Sequence, residues 1–227
     1  MRNKPVVAID GPAGAGKSTV ARGLAKALQY AFVDTGALYR AVAFIADASG
    51  ISWDDGPALA QAVLRHAFHF TADGTLHMDG VPLGGEIRTS RISSGASAVA
   101  RHPEVRTCLL DVQRGLGREG GVVLEGRDIG TVVFPDAEVK FFLVATVAER
   151  ARRRWLELRE KGESISLAEV EAAQEARDRA DMTREVAPLR QAEDAVEVPC
   201  DHLSAAEVVA HMRDYIAAKF PAGPDSF

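Results

Sequence analysis

The stretch PVVAIDGPAGAGKSTVARGLAKALQ (residues 5–29) decides the reading of this chain. Its first six residues form a short β-branched run with the look of a buried strand. Its last eleven place Val20, Leu24 and Leu28 four residues apart, which predicts a helix. Between them, Gly11 to Ser18 fit the pattern GxxxxGK[ST] in full. Glycines let such a loop curl so that several amide N–H groups point at one anion. The start of the following helix adds partial positive charge. Lys17 is then placed to reach terminal phosphates, and the Ser18 hydroxyl to ligate a magnesium ion that bridges them. Gly11, Pro12, Ala13, Gly14, Ala15, Gly16, Lys17, Ser18 and Thr19 are thus the candidate triphosphate-binding residues, and a nucleoside triphosphate is the expected ligand.

Working outward, AFVDTG (31–36) predicts a second strand and ALYRAVAFIADASG a second helix closed by Gly50. This βαβα opening argues for an α/β fold with a parallel sheet covered by helices. HAFHFTADGTLHMDGVPLGG (66–85) changes character: apolar and polar residues alternate around two Asp-Gly turns, predicting a small antiparallel insert. Residues 93–117 return to helical spacing, broken near Pro103. Three later helices carry one start signal, Ser or Thr followed three residues on by Glu: Thr146/Glu149, Ser166/Glu169 and Ser204/Glu207. Gly162 suits the end of the first, AVEVPC (195–200) reads as a last strand, and PAGPDSF (221–227) is expected to fray.

The 227 residues suit one domain, able to bury roughly 70% of the surface the unfolded chain exposes. With 27 basic and 32 acidic side chains the net charge is −5, no overall footprint for duplex nucleic acid or an anionic membrane, so any anion site must be local. No apolar run approaches the ~20 residues of a membrane span. The basic start MRNKPVVAID stops being apolar at Asp10, which argues against a signal peptide. Cys108 and Cys200 match no metal or CxxC spacing and are expected to be reduced thiols in the cytoplasm.

The class of nucleotide protein depends on the other motifs. No NKxD base-reading motif of a GTP switch occurs, and no apolar strand ends clearly in the DE or DxxG of a mechanical ATPase. A small-molecule kinase needs a second anion site on the acceptor side. DTGALYR (34–40) follows the second strand and would face the phosphate loop across the cleft at the sheet's carboxyl edge. Thr35 can donate to a phosphate there, with Arg40 on the helix beyond. Arg127 and Asp128 stand side by side where GVVLEG leaves the sheet, and two buried charges cost several kcal/mol each unless paired or liganded, by an estimate of about that size. Arg177, Asp181 and Arg184, spaced four and then three, are expected on one helix face. Arg150 and Arg154, four apart on a helix basic on several sides, suit an arginine-bearing lid. Ser97 and Arg106 are weaker candidates: a serine among alanines most often just packs there, and an arginine on a helix is as readily a solvated surface group.

Taken together, IDGPAGAGKS, DTGALYR, GEIRT, EGRDIGTVVFPDA, RDRADMTREVAPL and the alternating insert resemble the bacterial cytidylate kinases, in order from about residue 5 to residue 215. The resemblance implies a P-loop nucleoside-monophosphate kinase fold: a five-stranded parallel sheet flanked by helices, a small antiparallel β insert and a helical lid. It divides the single domain into a core (about 1–34, 108–146 and 185–227), a monophosphate-binding part (about 35–107) and a lid (about 147–184). It implies a cytoplasmic monomer that transfers phosphate from ATP, with Mg2+, to CMP and dCMP, with UMP a poor acceptor. Arg127 would hold the acceptor phosphate with Arg40 and Arg184 nearby. Asp128 and Ser97 would read the cytosine amino group, Arg106 the ring's acceptor edge, and Arg177 and Asp181 the sugar. Lys17, Arg127, Arg150, Arg154 and Arg184 are the candidates for neutralising the transferring phosphoryl. The chain departs from the common pattern at Met182, where a serine is frequent, and at Ala180, where some members have an arginine. The alternatives kept beside this reading are a small-molecule kinase with another acceptor and a nucleotide-dependent binding protein.

No covalent nucleophile is needed, because phosphoryl transfer depends on alignment and charge neutralisation. An acceptor that is already an ionised phosphate needs no strong base. Asp34 or Glu125 could position magnesium through water.

Overall fold

The computed structural model describes residues 2, 4–71, 73–160 and 162–220; the expectation for 221–227 falls outside them. Strand β1 (Val6–Asp10) is buried throughout and lies at the centre of a five-stranded sheet. Its partners are β6 (Val122–Glu125) on one side and β7 (Val139–Val144) on the other, with β2 (Ala31–Asp34) beyond β6 and β8 (Val196–Pro199) beyond β7. Every pairing in this sheet is parallel. A continuous apolar run such as Val6-Val7-Ala8-Ile9 suits this place, since both faces are covered.

Helix α1 (Lys17–Leu28) and α8 (Ala205–Lys219) cover one face, where Val20, Leu24, Val208 and Met212 meet Val7, Ile9 and Phe141. On the other side α2 (Thr35–Ser49), α3 (Gly56–Val63), α4 (Ser90–Val99) and α5 (Pro103–Gly117) enclose a second core around Leu38, Leu59 and Leu109. Leu76 and Leu83 of the insert join that core. Helix α3 was not expected from the sequence. It is eight residues long, begins with Asp55 accepting from the Ala58 amide at 3.0 Å, and has Pro57 in its first turn.

The insert is the antiparallel sheet β3 (Phe68–Phe70), β4 (Leu76–Met78) and β5 (Val81–Pro82), as the alternation predicts. Gly74 and Gly80, at φ 82° and 81°, make its two turns. Gly74 lies so close to Phe32 that a side chain would overlap the ring, so the hairpin tip rests on strand β2.

Helices α6 (Val147–Glu160) and α7 (Leu167–Thr183) pack on each other over a small core of Ala151, Leu158 and Val170 flanked by Trp155 and Ile165, with Trp155 donating to the Ile165 carbonyl at 3.0 Å. Ser166/Glu169 and Ser204/Glu207 form complete reciprocal caps. Thr146/Glu149 does not: Thr146 accepts from the Glu149 amide at 3.3 Å, but the Glu149 carboxylate is taken by Arg152 and Arg153. Those two guanidiniums also pull the Glu149 carboxyl down to about 2, Arg152 most. Gly162 closes the end of α6 at φ 81°. Among the described residues no helix is long and apolar enough to cross a membrane.

Candidate active site

The carboxyl ends of β1, β2 and β6 open into a cleft of about 980 Å³. This is where an open parallel sheet binds ligands, and the size suits a cofactor and a small substrate. Ten basic and seven acidic side chains line it, although the whole chain is net negative.

One wall is the phosphate loop. Gly11 has φ 144° and lies against the Leu143 carbonyl of β7 inside van der Waals distance for any added Cβ. Gly11→Ala is therefore expected to lower stability by about 3 kcal/mol or more, strain and overpacking together; urea unfolding within about 1 kcal/mol of wild type would refute this. A Cβ on Gly14 would stand 3.2 Å from Cβ of Arg150. Gly16 precedes α1 at φ 91° with no side chain capping the helix, so its first-turn amides are left for a ligand. Lys17 is buried, its Nζ donating to the Pro12 carbonyl at 2.6 Å. Burial, and then repulsion by Arg127, hold its pKa well below the ordinary lysine value, opposed by Glu125 and Asp10. A bound anion would restore it.

The facing wall is built of guanidiniums. Arg177 is lowered to about 10 by burial first and then by Arg127, with Arg40 and Arg154 adding to the repulsion. The buried Nε atoms of Arg40 and Arg177 have no hydrogen-bond partner among the described residues. Arg40, Arg127 and Arg154 each keep one carboxylate partner, Asp34, Asp181 and Glu157, and the repulsion among the four guanidiniums still favours an added anion between them. Arg40 is held at 2.5 Å by Asp34, the residue that also caps α2 by accepting from the Ala37 amide at 3.2 Å. Arg127 donates from Nε to Asp181 at 2.9 Å and from Nη1 to the Gly126 carbonyl at 3.2 Å; neither bond uses Nη2.

At the deep end of the cleft Asp128 is buried between Arg106, which donates to Oδ2, and Arg184, whose Nη2 is 3.5 Å from Oδ1. Burial raises the Asp128 carboxyl, opposed first by Arg106 and then by Arg184 and Arg127. With a guanidinium on each oxygen it is an acceptor-only group with lone pairs to spare. Tyr39 props this group: its ring lies 5.5 Å beneath the Arg106 guanidinium. Ser97, half-buried on α4, lines the same end.

Several sequence candidates sit differently from expectation. Arg150 is buried under the phosphate loop and does not line the cleft. Its guanidinium joins the Ala13 carbonyl at 3.0 Å and the Ala145 carbonyl at 2.9 Å to Asp178 at 2.6 Å. Each of its three nitrogens bonds the protein, so here it is a strut between loop and α7. Arg154 does line the cleft, at 3.0 Å from Glu157. Thr35 donates its hydroxyl to the Glu125 carbonyl at 2.7 Å, so in this arrangement it has no hydrogen for a phosphate. Arg184 is not on the α7 face with Arg177 and Asp181; it follows the helix in extended conformation and donates to the Ala187 carbonyl at 2.5 Å. Met182 is exposed, and neither it nor Ala180 reaches the cleft.

To the cleft the structure adds Arg88, Arg153 and, paired with Glu149 at 2.8 Å, Arg152, to none of which sequence reasoning assigned a role. Arg88, inside GEIRT, stands 3.6 Å from Asp34 at the cleft. Arg153 donates to the Cys200 carbonyl at 2.6 Å and lines the opposite end with His202, Leu203 and Val208, a half-apolar recess beyond the phosphate loop. Only the basic character of α6 hinted at Arg152 and Arg153.

Comparison with known proteins agrees with this geometry. The sequence model of the cytidylate kinase family matches residues 7–218. A cytidylate kinase of Syntrophotalea carbinolica is 47% identical over 222 residues, covering 96% of this chain and 94% of that protein. One from a Geobacter species is 48% identical over 224 residues, covering 97% and 96%. Among solved structures, a shikimate kinase from Acinetobacter baumannii superposes with a TM-score of 0.50 at 16% identity over 97% of each chain, which shows a shared fold and no more. With a family match that spans the phosphate loop, the arginine wall and the Asp128 pocket alike, the chain belongs to the cytidylate kinase family.

Proposed function

We propose that this enzyme transfers the terminal phosphoryl group of ATP to CMP and dCMP, giving ADP and CDP or dCDP. The observation that carries the reading is the buried Asp128 between Arg106 and Arg184, across the cleft from the phosphate loop. Cytosine presents an amino donor beside a ring acceptor, which suits a carboxylate beside a guanidinium. Uracil presents a carbonyl where the carboxylate needs a donor.

The phosphate loop amides and Lys17 would hold the triphosphate. Lys17 exchanges the Pro12 carbonyl for phosphate oxygens as its charge is restored. Arg127, Arg40, Arg177, Arg154 and Arg184 take the acceptor phosphate and the charge that spreads over the moving phosphoryl. Arg150 acts through the loop it supports. The sugar falls to Arg177 and Asp181.

The residues present fit a magnesium ion. Ser18 is close enough to Glu125 to favour its carboxylate form, the Glu125 Oε1 is buried with no hydrogen-bond partner among the described residues, and Asp34 is near enough to raise the Glu125 carboxyl after burial has done so. These are hard oxygen donors, and among the described residues no group of three or more potential ligands forms a protein-only cage. Such a site matches an ion held mainly by phosphates and water. When bound, magnesium would neutralise phosphate charge.

The small lid core of α6 and α7 suits movement as a unit, and we assign 147–184 the task of excluding water that would otherwise hydrolyse ATP. The test is an ADP-release assay with MgATP and CMP, dCMP, UMP, AMP or GMP in turn. Fast turnover with CMP and dCMP and slow turnover with UMP is expected. Equal rates with UMP would remove the role given to Asp128, and no turnover with any of the five would overturn the proposal.

A further inference from the structure

We propose that Asp10 is a positioning residue for acceptor-base selectivity, its carboxylate fixing the turn that presents Arg127 and Asp128 to the cleft. The inference rests on the CMP reading above.

Asp10 ends β1, one residue before the phosphate loop, and is buried. A carboxylate in such a place is unfavourable unless it is strongly bonded. It makes no ion pair among the described residues: the cation that faces it is Lys17, and the Lys17 Nζ bonds the Pro12 carbonyl. Its bonds go instead to two backbone amides, Ile129 on Oδ1 and Gly130 on Oδ2, both at 2.8 Å. These amides open the single wide helical turn Ile129–Val133, in which both Val132 and Val133 donate to the Asp128 carbonyl, at 2.9 and 3.1 Å. The start of a helical turn has amides with no partner in the turn itself. Asp10 supplies one to each.

The turn is held from its other side as well. A Cβ on Gly130 would lie 3.1 Å from Cδ of Lys140 on β7 and 3.4 Å from Oδ2 of Asp10. The Lys140 Nζ is anchored to the Pro135 carbonyl at 2.7 Å and Asp194 at 2.9 Å. Gly130 is therefore clamped between the Lys140 stem and Asp10, and Asp128 is attached directly to the clamped segment. Burial raises the Asp10 carboxyl to about 6, opposed by the two amides and Lys17 and aided by Asp128. At neutral pH the ionised form is thus favoured, and it is the form that two N–H donors stabilise. A binding group must be held within about 0.5 Å of its productive position, and Asp10 sets that of Asp128 from the strand that also starts the donor site.

The test is the ratio of kcat/KM for CMP to kcat/KM for UMP at saturating MgATP. Any effect of a substitution on ATP, on Lys17 or on overall stability enters both terms and cancels. In Asp10→Asn one amide meets an –NH2 group in place of an acceptor. The ratio is expected to fall at least tenfold, with KM for CMP rising more than kcat falls. Gly130→Ala, which pushes the turn from the Lys140 side, is expected to lower the ratio in the same direction. A folded Asp10→Asn enzyme with the wild-type ratio overturns the proposal. If Asp10→Asn does not fold, Gly130→Ala decides, and a wild-type ratio in the folded variant overturns the proposal equally. A wild-type enzyme that shows no preference for CMP over UMP would overturn the functional reading itself and this inference with it.

Discussion

Lys17→Met is expected to lower kcat by about a thousandfold or more, near 4 kcal/mol of transition-state stabilisation, while leaving the fold as stable as wild type or more so. Both halves follow from where the ammonium sits. It is buried, its one bond is to the Pro12 carbonyl, and its nearest strong neighbour of like sign is Arg127. Its pKa in the folded protein is below that in the unfolded chain, so the unfolded chain binds the proton more firmly. Lys17 therefore destabilises the fold below its folded pKa, and this penalty fades as pH rises toward the unfolded value. Methionine removes the penalty. Glu125 and Asp10, already raised by burial, would take up protons in place of standing unpaired. The stability advantage of the variant is expected to narrow from pH 7 toward pH 10. In the wild type, MgATP binding at pH 8 should take up protons, since the triphosphate favours the charged lysine. Calorimetry in two buffers of different ionisation enthalpy reads that uptake. A kcat within tenfold of wild type, a clearly less stable variant, or proton release on binding would each refute the account.

This division between stability and activity also marks what could be read from sequence. The segment from Val6 to Leu28 was legible because three signals coincide: a β-branched run, glycines where the backbone must curl, and apolar residues four apart. The insert was legible because two Asp-Gly turns punctuate an alternation. Helix α3 was not, because GPALAQAV is too short to show a period and its start signal, Asp55 before Gly-Pro, looks equally like a turn.

The site shows the same limit at side-chain level. Motif and spacing brought Arg127, Asp128, Arg177 and Asp181 to one cleft. They could not say which of Arg150 and Arg154 faces it, since residues four apart share a helix face and only tertiary contacts, here Ala13 and Asp178, decide which is buried. Nor could they show that Thr35 spends its hydrogen on Glu125, or that Asp10 spends its charge on Ile129 and Gly130. Those bonds cross from one strand end to another and have no local signature.

Asp128→Asn should reduce the preference for CMP over UMP by about 30- to 1000-fold, the equivalent of ~2–4 kcal/mol. Each Asp128 oxygen accepts from an arginine and keeps a lone pair for the base. The asparagine amide can do this with one atom only. If its carbonyl oxygen stays on Arg106, the stronger of the two partners, its –NH2 faces the cleft or Arg184. Turned to the cleft, it offers a donor to the uracil carbonyl and opposes the cytosine amino group, reversing the match at one atom. The loss of charge also leaves Arg106 and Arg184 short of their counter-ion in a buried place. Breaking such a pair outright costs about 3–5 kcal/mol, and asparagine keeps one accepting oxygen, so a smaller loss in thermal stability is expected. Arg127 and Lys17 are untouched, so kcat with UMP should rise or hold while KM for CMP rises. Measured as kcat/KM for each nucleotide at saturating MgATP, a preserved CMP preference in the folded variant would move base selection away from Asp128. Ser97 and the guanidinium of Arg106 would then have to supply it, and the buried charge of Asp128 would serve only to hold the two arginines in place.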